Sequence, residues 1–265
     1  MAAETIPGLG TGVLPSQSLA KLIDAGLISG TPQVEPAQIQ PASLDLRLGT
    51  TAYRVRASFL PGKDRTVAER LDDFSMHSID LSGGAVLERG CVYLVPLMER
   101  LDLSDDISAV ANAKSSTGRL DLFTRLITDH GTEFDRIDPG YTGPLYAEVS
   151  PRSFSVLAQP GARLNQIRFR RGQSLLSDED LRARHTREKL VDGPAHIDGG
   201  LGFSVDLDRG ADTIVGYRAK PHTGLIDLAR LNHYPVDAFW EEVRAPERHI
   251  ILDPGAFYIL VSREA

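Results

Sequence analysis

Short runs in which apolar and polar residues alternate, cut at intervals by glycine or proline, constrain this chain more than any other feature. Ser43-Leu44-Asp45-Leu46-Arg47-Leu48 alternates with period two, as does Tyr53-Arg54-Val55-Arg56, and Cys91 to Met98 is an apolar run after Gly90. Period two belongs to strands, whereas a helix repeats its apolar stripe every three to four residues. With 24 glycines and 16 prolines as punctuation, such strands suit an all-β sandwich or distorted barrel. The covered face takes Leu44, Leu46 and Leu48; Asp45 and Arg47 read as surface charges and Cys91 as a small core residue.

Helical signals are few. Ser16 is placed to cap a short helix carrying Leu19, Leu22 and Ile23, with Gly26 to stop it. Pro61 to Asp73 reads as a polar loop or a brief helical turn. Ser177 caps a charge-dense helix over 178–190, either a solvated connector or a basic cover over an anion through Arg182, Arg184, Arg187 and Lys189. Pro235 to Arg244 reads as a short packing helix.

At 265 residues the chain is long enough for one large domain or two modest ones. A net charge of −7 argues against a broad nucleic-acid surface, though a free nucleotide needs only a local cationic pocket. One cysteine excludes a disulfide framework within the chain and suits a reducing compartment. With no signal-like N-terminus and no apolar run of membrane-spanning length, the expectation is a cytoplasmic protein without a membrane partner.

Chemistry concentrates between Lys114 and Glu148. In Lys114-Ser115-Ser116-Thr117-Gly118-Arg119, two cations flank hydroxyls and a glycine. Backbone N–H groups, hydroxyls and a guanidinium fork could converge there on phosphate oxygens, and a merely solvated polar loop fits as well. It is not a P-loop, because the Gly-rich pattern ending in Gly-Lys-Ser/Thr is absent. Pro139-Gly140 suits the centre of a type II turn that holds Asp138 near Tyr141; an ordinary hairpin turn reads the same way. Glu148 lies on an apolar strand, facing either water or a cleft where a carboxylate can shuttle protons.

Four segments in order, QPASLDLRLG (Gln40 to Gly49), KSSTGRL (Lys114 to Leu120), RIDPGYTGPLYAE (Arg136 to Glu148) and QPGARLNQIRF (Gln159 to Phe169), resemble the dCTP deaminase branch of the dUTPase-like superfamily. The resemblance covers most of residues 37 to 170. It implies a dUTPase-like distorted β-barrel or jelly-roll module. Glu148 would handle protons while water attacks C4 of cytosine and ammonia leaves. Ser115, Ser116 and Arg119, with Lys114, would contact the triphosphate from a neighbouring subunit. Asp138 and Tyr141 would lie by the deoxyribose, and Gln166 would help hold the sugar-phosphate side. Mg2+ would arrive with the triphosphate rather than in a protein cage. Zinc deaminases need H-x-E with P-C-x-x-C; this chain has neither, so no zinc is expected. The chain departs from compact members in the longer segment Asp129-His130-Gly131-Thr132-Glu133-Phe134, which falls where the family's loop meets the pyrimidine.

A partial internal repeat follows. Phe203 to Leu207 echoes Ala42 to Leu46, and Ile251 to Val261 echoes Val86 to Pro96, at nearly one offset. The expected organisation is a deaminase module over 1–172, a charged connector over 173–200 and a partial second module over 201–265. A second copy ending there would expose a strand edge, so the expectation is a fragment of a longer tandem protein. The reading is zinc-independent dCTP deamination to dUTP. Alternatives are a dUTP diphosphatase, a bifunctional enzyme, and a nucleotide-binding module without turnover. The working unit is expected to be a homo-oligomer with threefold or pseudo-threefold symmetry.

Overall fold

The computed structural model describes residues 8–173, 175–210 and 212–264, which divide into two compact units. The first unit comprises 1–174 and 224–233, the second 175–223 and 234–265. In the first, β1 (Gly12–Val13), α1 (Ser16–Asp24), β2 (Ile28–Gly30), β3 (Ile39–Gln40), β4 (Ser43–Arg47) and β5 (Thr51–Val55) come in order. Then follow α2 (Val67–Phe74), β6 (Ser75–Asp80), β7 (Ala85–Leu87), β8 (Val92–Asp102), β9 (Ile107–Ala113) and α3 (Ser115–Gly118). The unit continues with β10 (Leu122–Thr128), β11 (Arg136–Ile137), β12 (Thr142–Pro151), β13 (Val156–Ala158) and β14 (Arg163–Arg171).

Twelve of these fourteen strands make two six-stranded sheets, β7 and β13 lying outside them. One has the order β11-β9-β14-β4-β3 with β1 on β14; the other has the order β10-β12-β8-β5-β6 with β2 on β8. A bridge between Leu48 and Leu97 ties one to the other. Leu44, Leu46, Ile167 and Phe169 are buried from the first sheet, and Leu94, Leu126, Ala147 and Val149 from the second. A cluster around Val55, Phe59, Val67, Leu94, Ile127 and Tyr146 seats α2 on the second sheet. The mainly β architecture and the distorted barrel expected from strand periodicity are present.

Alternation misled the reading of β4, where all five residues are buried. Asp45 is 1% and Arg47 3% exposed, so neither is a surface charge. Arg47 is buried because it has partners: its Nε donates to Glu99 Oε1 at 2.8 Å, its backbone N–H to Glu99 Oε2 at 2.8 Å, and its Nη2 to the Pro32 carbonyl at 2.6 Å. Gln38 Nε2 donates to the same Glu99 Oε1 at 2.8 Å. A buried charge is tolerated only when paired and hydrogen-bonded in this way.

Other boundaries also differ from expectation. Pro15, not Ser16, is the N-cap of α1, although Leu19 and Leu22 are buried and Gly26 (φ 78°) follows its end. The polar stretch before Asp73 contains α2, started by a capping box in which Thr66 and Glu69 bond each other's backbone. Cys91 is half-buried rather than a core residue.

The second unit contains α4 (Asp178–Glu188), β15 (Ile214–Ala219), α5 (Val236–Phe239), β17 (Trp240–Arg244) and β18 (Tyr258–Leu260). The strand β16 (Ile226–Asp227) lies between β15 and α5 in the chain but belongs to the first unit, pairing parallel to β13 beside β7. In the second unit β15 is flanked by β17 and β18. Ser177 caps α4 with its own capping box, and none of the helix's residues is buried, as its charge density predicts. The stretch read as one helix from Pro235 is a single turn followed by strand β17, in which Trp240 and Val243 are half-buried and Glu241, Glu242 and Arg244 are exposed. Among the described residues no helix is long and apolar enough to cross a membrane.

Candidate active site

The predicted site residues are scattered: Lys114, Ser115 and Gln166 meet on the first sheet, Glu148 is on the second, Asp138 and Tyr141 are on the turn after β11, and Ser116 and Arg119 stand apart. On the first sheet, β9 ends at Ala113, and Lys114 takes the N-cap position of the single turn α3, with its backbone N–H donating to the Leu164 carbonyl at 2.9 Å. That anchor turns the Lys114 side chain onto the Asp45 carboxylate, with which it forms an ion pair. Lys114, Ser115, Ser43, Asp45, Gln166 and Arg168 line a cavity of about 410 Å³. Gln166 and Arg168 reach it together because they are two residues apart on β14. Gln166 Oε1 accepts from Ser43 Oγ at 3.2 Å, which leaves its amide N–H groups as donors. Asp45 Oδ1 is buried and has no hydrogen-bond partner among the described residues. Two cations, one of them paired with Asp45, stand with two hydroxyls and two amides around this polar cavity, a set of donors that suits an anionic ligand.

Ser116 and Arg119 stand exposed on and just after α3. They do not line this cavity.

The turn after β11 has the predicted form. Gly140 has φ 73°, and the Tyr141 N–H donates to the Asp138 carbonyl at 3.3 Å, closing a four-residue turn with Pro139 in its second position. The Asp138 carboxylate is exposed and accepts from Arg136 Nε at 3.0 Å. The Tyr141 hydroxyl donates to the Pro144 carbonyl at 2.6 Å and accepts the Asp129 N–H at 3.2 Å. Its ring covers Gly143, where a Cβ would come 2.8 Å from the ring carbon Cζ. Burial pushes the Tyr141 phenol well above the usual range and that of Tyr146 up to about 12.

Glu148 is on β12 in the second sheet, 3% exposed. Antiparallel pairing sets it opposite Arg125 of β10. Arg125 Nε and Nη2 both donate to Glu148 Oε1, at 3.1 and 2.6 Å. Nη2 also donates to Ser58 Oγ at 2.7 Å, and the guanidinium carbon lies 3.5 Å from the centroid of the Phe134 ring. Phe134 comes from the long segment after β10, so that segment lies against Glu148's partner. Beside it, burial raises the Asp135 carboxyl, offset by the Leu126 N–H that it accepts and by Arg125.

The structure therefore joins Lys114, Ser115 and Gln166 in one cavity and joins Glu148 to Arg125, and among the described residues neither Glu148 nor Arg125 lines that cavity. Sequence reasoning missed Arg125, Ser43 and Arg168. For Arg125 the available signal was a cation inside Leu-Phe-Thr-Arg-Leu-Ile-Thr, a run otherwise suited to a buried strand.

The model of the 2'-deoxycytidine 5'-triphosphate deaminase N-terminal domain matches residues 10–173, and that of the C-terminal domain matches residues 177–265. A dCTP deaminase of Haloarcula marismortui is 30% identical over 160 residues, covering 59% of this chain and 79% of that protein. A relative from Methanosphaera stadtmanae, named dCTP deaminase, dUMP-forming, is 32% identical over 159 residues, covering 59% and 78%. The crystal structure of 2'-deoxycytidine 5'-triphosphate deaminase from Agrobacterium tumefaciens superposes with a TM-score of 0.92 at 49% identity, covering 96% of this chain and 75% of that one. With both domain models matched and the barrel shared, this chain belongs to the dCTP deaminase family.

Proposed function

We propose that this chain is a hydrolase that deaminates dCTP, with Glu148 as general acid and base. Water oxygen adds to C4 of cytosine as Glu148 takes a proton from that water. Glu148 then delivers that proton to the exocyclic amino nitrogen, the C4–N bond breaks, the remaining hydroxyl proton passes to N3 as C4=O forms, and ammonia and dUTP leave. The supporting observation is Glu148 itself, a carboxylate almost withdrawn from water, with both Arg125 bonds falling on one oxygen. A metal-bound hydroxide is not needed for this route. A single cysteine gives the chain no Cys-x-x-Cys pair for zinc.

The substrate is taken as its magnesium complex, the ion riding on the phosphates. Lys114, Ser115, Ser116 and Arg119 bind the triphosphate, Gln166 the sugar-phosphate side, and Asp138 and Tyr141 the deoxyribose. That Glu148 does not line the cavity at Lys114 supports a reading in which the complete site forms between subunits, in a threefold or pseudo-threefold oligomer. Relatives named dUMP-forming support a second reading, in which pyrophosphate is released as well.

The test is to incubate the protein with dCTP and Mg2+ in the presence of a zinc chelator and to follow ammonia and pyrophosphate. Ammonia alone is expected, and ammonia with pyrophosphate selects the second reading. Glu148→Gln should retain dCTP binding and lose on the order of a hundredfold or more in kcat. Near-normal turnover by that variant would remove Glu148 from its role.

A further inference from the structure

Arg125 is placed by strand register rather than by any motif, and its contacts are more specific than neutralisation requires. A carboxylate neutralised by a cation could be met at both oxygens. Here Nε and Nη2 converge on Oε1 alone, and Oε2 is engaged by neither. The guanidinium is itself held from two further sides, by Ser58 Oγ at 2.7 Å and by the face of Phe134. A second ring, Phe123, lies 5.1 Å away. Charge-assisted bonds from a planar fork and a cation over a ring face both fix orientation as well as charge.

The segment that supplies Phe134 is pinned to the barrel. Asp135, in the left-handed region at φ 63°, donates its N–H to the Leu126 carbonyl at 2.9 Å and accepts the Leu126 N–H on Oδ1 at 2.7 Å. Its carbonyl accepts the Ala111 N–H at 2.7 Å. Bonds on either side of the strand residue next to Arg125 make the segment a brace under the guanidinium.

We infer that Arg125, braced by Phe134, is the positioning residue for Glu148: it occupies Oε1, fixes the carboxylate plane and reserves Oε2 for the travelling proton. This rests on Glu148 being the proton carrier. Misplacing a reacting group by about 1 Å can cost about a hundredfold in rate, so a rotating carboxylate would bind substrate normally and turn it over slowly. The long segment after β10 then serves the chemistry through Arg125.

The test compares wild type, R125A, R125K and E148Q as full chains, reading ammonia release from dCTP and dCTP binding. R125A should lose about a hundredfold in kcat with KM within about threefold, the signature of an interaction that acts on the chemical step. Guanidinium ion at non-denaturing concentration should restore part of that rate by occupying the vacated place. R125K keeps the charge but cannot place two N–H groups on one oxygen, and it should fall between R125A and wild type. Wild-type kcat in R125A or R125K while E148Q is inactive overturns the positioning role and leaves Glu148's role standing. A rise in KM at unchanged kcat also overturns it, since Arg125 would then be a substrate contact. An active E148Q, or a wild type that releases no ammonia, removes the underlying reading instead. Where circular dichroism shows R125A unfolded, R125K decides by the same two criteria.

Discussion

Removing Glu99 should destabilise the first unit as few single changes would. Its side chain is fully buried and that of Arg47 nearly so, with exposures of 0% and 3%. Glu99 accepts from Arg47 Nε, the Arg47 backbone N–H and Gln38 Nε2, each at 2.8 Å. In Glu99→Ala the guanidinium keeps the Pro32 carbonyl and the exposed Glu35, whose carboxylate is 3.5 Å away, but loses its buried counter-charge. Leaving one partner of a buried pair uncompensated costs about 3–5 kcal/mol. At about 2–4 °C per kcal/mol for a domain of this size, the melting temperature falls by roughly 6–20 °C. Tryptophan fluorescence would report the wrong unit, because the single tryptophan, Trp240, is in the second. Amide exchange of β4 and β8 reads the first unit directly. Asp73→Ala, which removes the half-exposed partner of Arg65 and Arg70, is the control and should cost under about 1 kcal/mol. The double change Arg47→Met with Glu99→Leu should recover the part of the loss due to the uncompensated charge, because an apolar pair needs no counter-charge, while the Arg47 N–H and Gln38 Nε2 still lack the Glu99 oxygens. A Glu99→Ala cost as small as the control's, or a double variant no better than the single, would refute the argument.

Two further expectations concern the tyrosines and their neighbour. Because burial pushes Tyr146 up to about 12, while an unfolded phenol ionises near pH 10, its contribution to stability is whole below pH 10 and is lost as pH rises from about 10 to 12. Tyr146→Phe should flatten that alkaline fall in urea-unfolding measurements, and an unchanged fall would show that other groups cause it. Gly143→Ala would bring a methyl 2.4 Å from the Tyr141 hydroxyl oxygen and displace it from the Pro144 carbonyl. Such overpacking costs about 1–3 kcal/mol, and under the proposed function KM for dCTP rises; an unchanged melting curve and KM would show that the ring is free to move aside.

What the sequence made legible was local. Period two located β4 and β5, the apolar run after Gly90 located β8, Pro139-Gly140 located the turn, and Ser177 located the start of α4. The capping box of Thr66 and Glu69 was equally local and could have revealed α2, but the polar composition of that stretch outweighed it. Alternation assumes one dry face and one wet face. It therefore assigned Asp45 and Arg47 to water, because the groups that cover them are distant in sequence. Glu99 is 52 residues from Arg47, and Lys114 is 69 from Asp45. Arg125 was hidden for a related reason. Its position opposite Glu148 depends on the register of β10 against β12, and that register is set by the irregular segment between them, whose geometry no periodicity encodes.

The division of the site between two sheets also bears on how such an enzyme could work. A triphosphate needs cations and donors on a surface that stays polar, and under the proposed function the Lys114 cavity would supply that on the first sheet. A proton carrier needs a place withdrawn from bulk water where its carboxylate is held still, and β12, with nine of its ten residues buried or half-buried, supplies that on the second. Within one barrel these demands compete, since opening the second sheet to phosphates would wet Glu148. Under the proposed assembly, a neighbour brings the phosphate donors to a carboxylate already fixed by Arg125. Each chain can then keep its carboxylate withdrawn from bulk solvent and its cations exposed, and bulk water, apart from the one molecule that attacks, is kept from the reacting carbon only when subunits and substrate are together.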